Sequence, residues 1–179
     1  RMQFFIVLAA LVVAAFAAPH GIQVEAGQDA GEAAFAAAVA AGVDKAFIEE
    51  VKKVLVDPST TIKQKKADIQ ALVDKQPAEQ QAKIKELEQT FECQQKSILD
   101  EIKKQVDTLS GEAKDVAQKI LDCIQDESLS PADIKTKIEQ LYGSASEATQ
   151  KTLKDFGEEM KGNMQEAAVK AAAAVPPSR

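Results

Sequence analysis

Tryptophan is absent from this chain, and tyrosine and histidine occur once each. A lone His20 near the start cannot supply a buried catalytic triad or a zinc site, which need imidazoles gathered inside a fold. Copper chelation by a free amino terminus and a third-position His20 fails too, because Pro19 has no amide proton to give up. No Gly-rich phosphate loop and no His-Glu-x-x-His run occurs, so we expect no enzyme. Positive charge is also short, with 22 Lys and Arg against 28 Asp and Glu and a net charge of −6. That balance repels nucleic acid. Asn163, the only asparagine, has no acceptor sequon, which excludes N-glycosylation. Only 8 glycines and 6 prolines punctuate 179 residues, and the remaining Ala, Lys, Glu and Gln favour helix almost throughout.

Long apolar runs are missing as well. The run Phe4–Ala15 is too short to span a bilayer, and no later segment is longer. We read residues 2–17 as a secretory signal peptide starting at Met2, with Ala15-Phe16-Ala17 as the small-x-small cleavage signal. The protein is then expected to be secreted and extracellular, with no membrane span. Residues 18–42 read as a flexible Ala-rich leader, 43–164 as a helical domain and 165–179 as an Ala-rich tail.

Helical periodicity fills the centre. The first firm helix spans about 43–56, with Phe47, Val51, Val54 and Leu55 on one face. Asp57-Pro58-Ser59-Thr60-Thr61 interrupts it, and Thr61-Ile62-Lys63-Gln64 offers a capping box for a second helix over 62–75. No breaker follows from Pro77 to Leu109, where Ile84, Leu87, Phe91, Ile98, Ile102 and Val106 form a stripe. Such a helix is roughly 48 Å long. A fourth helix spans 112–125, a fifth starts at Ser130-Pro131-Ala132-Asp133 and reaches Tyr142, and a sixth starts near Glu147 with Leu153, Phe156, Met160 and Met164 inward. The fold class is therefore all-α: about six helices in two EF-hand-like helix–loop–helix units joined by one long central helix.

Shifting the chain by the 69 residues that separate Asp57 from Asp126 aligns two stretches without gaps. Val51, Leu55, Ser59, Lys66, Ile69 and Leu72 fall on Ile120, Ile124, Ser128, Lys135, Ile138 and Leu141. Two such units are expected to bury their apolar faces against each other. The pattern is either a duplication or two amphipathic pairs of similar design.

The loops are the candidate metal sites. A calcium loop needs oxygens at positions 1, 3 and 5, glycine at 6 and a bidentate acid at 12. Counting from Asp126 gives Ser128, Ser130, Pro131 and Lys137; counting from Asp57 gives Ser59, Thr61, Ile62 and Asp68. Both lack the glycine, and Lys137 puts a cation where the closing carboxylate belongs, which argues against tight calcium binding. Magnesium keeps its waters and needs only one or two carboxylates. Asp126, Glu127 and Asp133, with the Ser128 and Ser130 hydroxyls, can serve a weak Mg2+ site. Ser130 and Asp133 equally suffice as a helix cap.

Cys93 and Cys123 flank the Ser110-Gly111 turn. In a secreted chain they suggest a disulfide between the two antiparallel helices. Cys93 lies opposite the apolar stripe of its own helix, so the other arrangement is an exposed thiol linking two chains. Monomer and disulfide-linked dimer both stay open.

The signal peptide, Gln81-Ala82-Lys83-Ile84-Lys85-Glu86 in the long helix, Leu109-Ser110-Gly111-Glu112-Ala113, Asp126-Glu127-Ser128-Leu129-Ser130 and Ile138-Glu139-Gln140-Leu141-Tyr142 together resemble the SXP/RAL family of small secreted nematode proteins. Similarity covers about residues 43–160. The resemblance implies a calmodulin-like set of degenerate helix–loop–helix units, a cation-binding role, and recognition of an antigen or allergen by host antibodies. Secreted nematode helical proteins also include fatty-acid and retinol carriers, so a small lipid is the alternative ligand. A ligand-free, host-interacting structural antigen is the third reading. A carrier needs an apolar cavity, and the stripes here are narrow and poor in aromatics.

Overall fold

Each break in the helical pattern has a visible cause. The computed structural model describes residues 35–173. The expected signal peptide, His20, most of the expected Ala-rich leader and the end of the tail lie outside the described residues. Among those described there is helix and no strand, so the chain is all-α. A helical stretch over 35–40 ends at Gly42, whose φ of +84° suits glycine. Then come α1 (Lys45–Val56), α2 (Ile62–Asp74), α3 (Ala78–Thr108), α4 (Gly111–Gln125), α5 (Pro131–Ser144) and α6 (Glu147–Ala173). The bounds of α1 to α5 and the start of α6 fall within two residues of the sequence-based ones, because caps and breakers are local signals.

The 31-residue α3 is the spine, about 46 Å long. Its two ends belong to different cores. Ile84 and Leu87 near its start pack with Phe47, Ile48 and Val51 of α1 and Ile69 and Val73 of α2. Ile102 and Val106 near its end pack with α4, α5 and α6, around Ile120, Leu121, Ile134 and Leu153. Gln80 of α3 also fixes where α1 begins, because its amide donates to Gly42 O (3.1 Å) and accepts from Asp44 N (3.0 Å).

The expected face-to-face burial of the two helix–loop–helix stretches is replaced by a different arrangement. Each buries its stripe against its own end of α3. One residue crosses over: Ile62, at the start of α2, is 3% exposed and sits in the α4–α6 core.

Candidate metal centre: two paired interhelical loops

Both loops open with the same turn. Asp57 Oδ1 accepts from Ser59 N (2.9 Å) and Ser59 Oγ (2.6 Å). Asp126 Oδ1 accepts from Ser128 N (3.0 Å) and Ser128 Oγ (2.5 Å). An aspartate bonded to the residue two ahead mimics a backbone turn, and the shared Asp-x-Ser spacing produces it twice. A helix cap follows in each. Ser130 Oγ accepts from Asp133 N (3.1 Å) while Asp133 Oδ2 accepts from Ser130 N (3.2 Å), a reciprocal capping box. Thr61 Oγ1 accepts from Gln64 N (3.2 Å), but the box expected there is only half formed. Gln64 turns its amide to Asp68 Oδ1 (2.7 Å) instead.

The loops are bonded to each other through backbone. Lys63 N donates to Glu127 O (2.8 Å), and Ala132 N donates to Pro58 O (3.1 Å). Those two bonds exchange under the shift that relates Asp57 to Asp126, so the pair has a local pseudo-twofold axis. A third bond, Ile62 N to Leu129 O (3.0 Å), has no mate. The equivalent donor is Pro131, which carries no N–H. Lys66 adds a cross-loop ion pair to Glu127 Oε1.

The two loops differ in what remains for a cation. In the first, both Asp57 oxygens are taken, Oδ2 accepting from Thr60 Oγ1. These hydroxyl and amide donors of Ser59 and Thr60 hold the Asp57 carboxyl far below its ordinary pKa. The backbone carbonyls beside it are taken by Lys65. Its Nζ donates to Val54 O (3.0 Å), Leu55 O (2.6 Å) and Asp57 O. In the second loop, no described donor is bonded to Asp126 Oδ2 or Asp133 Oδ1. Hydrogen bonds from Ser128 and Ser130, then the Lys137 charge, hold the Asp126 and Asp133 carboxyls below the usual range. Both are therefore ionised at neutral pH.

This donor set decides which metals fit. Among the described residues, no three His, Cys, Asp or Glu side chains gather at one point, so neither loop offers the carboxylate cage that calcium takes. The first loop does not fit a metal. The second fits a hydrated cation held through one or two carboxylates, with Lys137 opposing it. Of the sequence candidates, Asp126, Ser128, Ser130 and Asp133 share one loop, with Glu127 beside them on Lys66. Asp57, Ser59 and Thr61 share the other, and Asp68 is tied along α2. Lys65 escaped the sequence reading. Its signal was present, since the 69-residue shift lays it on Ile134, a fully buried apolar position.

The expected Cys93–Cys123 disulfide is not formed in this structure, where both thiols are free, Cys93 exposed and Cys123 partly covered. Cys93 lies nearly opposite Ile84 and Ile102 around α3, while α4 packs on the Ile102–Val106 side. The two sulfurs therefore face different surroundings, and burial pushes the Cys123 thiol's pKa up. A groove of about 460 Å³ between α2 and α3 is lined by Gln70, Val73, Ala78, Gln81, Ala82, Lys85 and Glu88. Its lining mixes Val73, Ala78 and Ala82 with the polar Gln70, Gln81, Lys85 and Glu88. No described helix is long and apolar enough to cross a membrane.

No curated protein and no solved structure matches the chain. A family model does, over residues 1–164: the SXP/RAL-2 family protein Ani s 5-like, metal-binding domain. That span holds both loops and most of α6, and its description agrees with a cation site of some kind in this fold. The chain belongs to the SXP/RAL-2 family.

Proposed function

We propose that this is a secreted, non-enzymatic helical antigen that binds one hydrated divalent cation weakly at the 126–133 loop, magnesium rather than calcium. The observation that carries the reading is the contrast between the loops. Asp126 Oδ2 and Asp133 Oδ1 have no described donor bonded to them, whereas Asp57 spends both oxygens on its own loop. A magnesium ion that keeps several waters needs no more than those two carboxylates. Extracellular placement rests on the residue 2–17 signal pattern, and antibody recognition on the family resemblance.

Magnesium titration by calorimetry tests the site. We expect a weak one-site isotherm for the wild-type chain, lost in the Asp126→Ala, Asp133→Ala double variant, and weaker heat with calcium. Equal magnesium affinity in the double variant sinks the site. Displacement of a bound fluorescent fatty acid by oleate, with a blank magnesium titration, replaces this reading with a lipid carrier.

A further inference from the structure

Lys65 is 2% exposed, the one lysine among the described residues that is fully buried. An ammonium has three hydrogens to donate, and this one meets three carbonyls, those of Val54, Leu55 and Asp57. Val54 and Leu55 lie in the last turn of α1, where carbonyls have no partner within the helix and the macrodipole is negative. The Lys65 side chain reaches them from the first turns of α2, so it ties the end of one helix to the start of the next. The Asp57 carboxylate supplies the counter-charge. This arrangement is a cation cradle built from backbone oxygens at a helix C-terminus.

We infer that the Asp57–Thr61 loop is a cation site permanently occupied by the protein's own Lys65 ammonium, and that it is closed to exchangeable metal. The second loop solves the same turn without a lysine. Ile134 takes the equivalent position in the core, and the carbonyls of Cys123 and Asp126 accept from the loop's own amides, Asp126 N (3.3 Å) and Leu129 N (3.2 Å). A divalent ion entering the first loop would have to displace a covalently tethered charge and leave that charge buried beside it, which is strongly unfavourable. The paired loops are thus unequal: one self-filled, one left to solvent ions. The inference stands on the Lys65 geometry alone and does not need magnesium to bind at Asp126.

Chemical rescue tests it. Lys65→Ala removes the ammonium and leaves room for a small cation; Lys65→Met removes the charge but fills the channel. The Ala variant is expected to melt several degrees below wild type. It should recover part of that loss in ammonium or methylammonium chloride, relative to tetramethylammonium chloride at equal ionic strength. Wild type and Lys65→Met should show no such selectivity. A folded Ala variant indifferent to the choice of cation overturns the inference, as does a Met variant that melts with wild type. The wild-type chain gives a reading that needs no variant to fold. By nitrogen-detected NMR of lysine side chains, the Lys65 ammonium hydrogens should exchange at least about tenfold more slowly than those of surface lysines. Their signal should stay unmoved by magnesium or calcium, even where amides of the 126–133 loop respond. Fast exchange of the Lys65 ammonium, or its displacement by a divalent ion, also overturns it. Failure at the 126–133 loop alone leaves the Lys65 result standing.

Discussion

Ile62 is the residue whose truncation best probes how the two halves are joined. It begins α2, yet its side chain is 3% exposed within the α4–α6 core, and its amide donates to Leu129 O across the loop pair. Replacing a buried isoleucine by alanine removes three carbons and leaves a cavity, for about 2–5 kcal/mol. At this chain length that corresponds to a melting shift of about 2–4 °C per kcal/mol. A central loss of ~3 kcal/mol thus lowers the midpoint by about 6–12 °C. Ile62→Val should fall between, at about 0.5–1.5 kcal/mol. Val56, 76% exposed beside the same loop, provides the control, and Val56→Ala should stay within about 0.5 kcal/mol of wild type. Urea unfolding followed by helical circular dichroism measures all three. Amide exchange then localises the effect. Lys63 and Ala132, the reciprocal donors, should lose more protection in Ile62→Ala than amides in the middle of α4. The reasoning is refuted if Ile62→Ala costs no more than Val56→Ala, or if Ala132 keeps its protection relative to α4.

Tyr142 is the only tyrosine and there is no tryptophan, so ultraviolet titration reads it alone. Burial first, then the Asp155 charge, pushes its phenol up to about 12, and its hydroxyl donates to Gln150 O (3.0 Å). The unfolded phenol titrates near ~10, so the native titration should lag behind that of urea-unfolded protein. Because the folded value is the higher one, the stability it contributes is complete below the unfolded value and lost as pH rises through the folded one. Coincident native and unfolded titrations would contradict its burial. At the acid end, Asp57, Asp126, Asp133 and Glu112 all have carboxyl pKa values lowered, chiefly by serine and threonine hydroxyls. Their folded values lie below the unfolded ones near ~4. Their stabilisation is therefore complete above that point and lost as pH falls through the folded values. Melting midpoints should be level from neutral pH to about 5 and fall below about 4, with a shallower fall in the Ser59→Ala, Ser128→Ala variant. An unchanged slope there would remove the hydroxyls as the cause.

Helices were readable in the sequence because their signals are local: Pro58 and Pro131, the caps Thr61 and Ser130, and stripes such as Ile120–Ile124 lie within a turn or two of what they determine. The Asp-x-Ser turns were readable for the same reason. The loop pairing was not, since Lys63 N and Ala132 N bond to carbonyls that every residue type possesses. Lys65 looked like one more surface lysine of an amphipathic helix. Only the open carbonyls at the end of the neighbouring helix α1 make that position interior. Cys93 showed the reverse: its helical phase already placed it away from α4, and its thiol is free and exposed.

The bonds between loops also bear on how the chain reaches its native state. Each helix pair can assemble within its own segment, Lys45 to Asp74 for α1 and α2, whereas Lys63–Glu127 and Ala132–Pro58 close a ring that includes all of α3. Contacts of such long sequence separation are entropically expensive to make early. They should be absent at the folding barrier, so the clasp governs how slowly the folded protein comes apart rather than how quickly it forms.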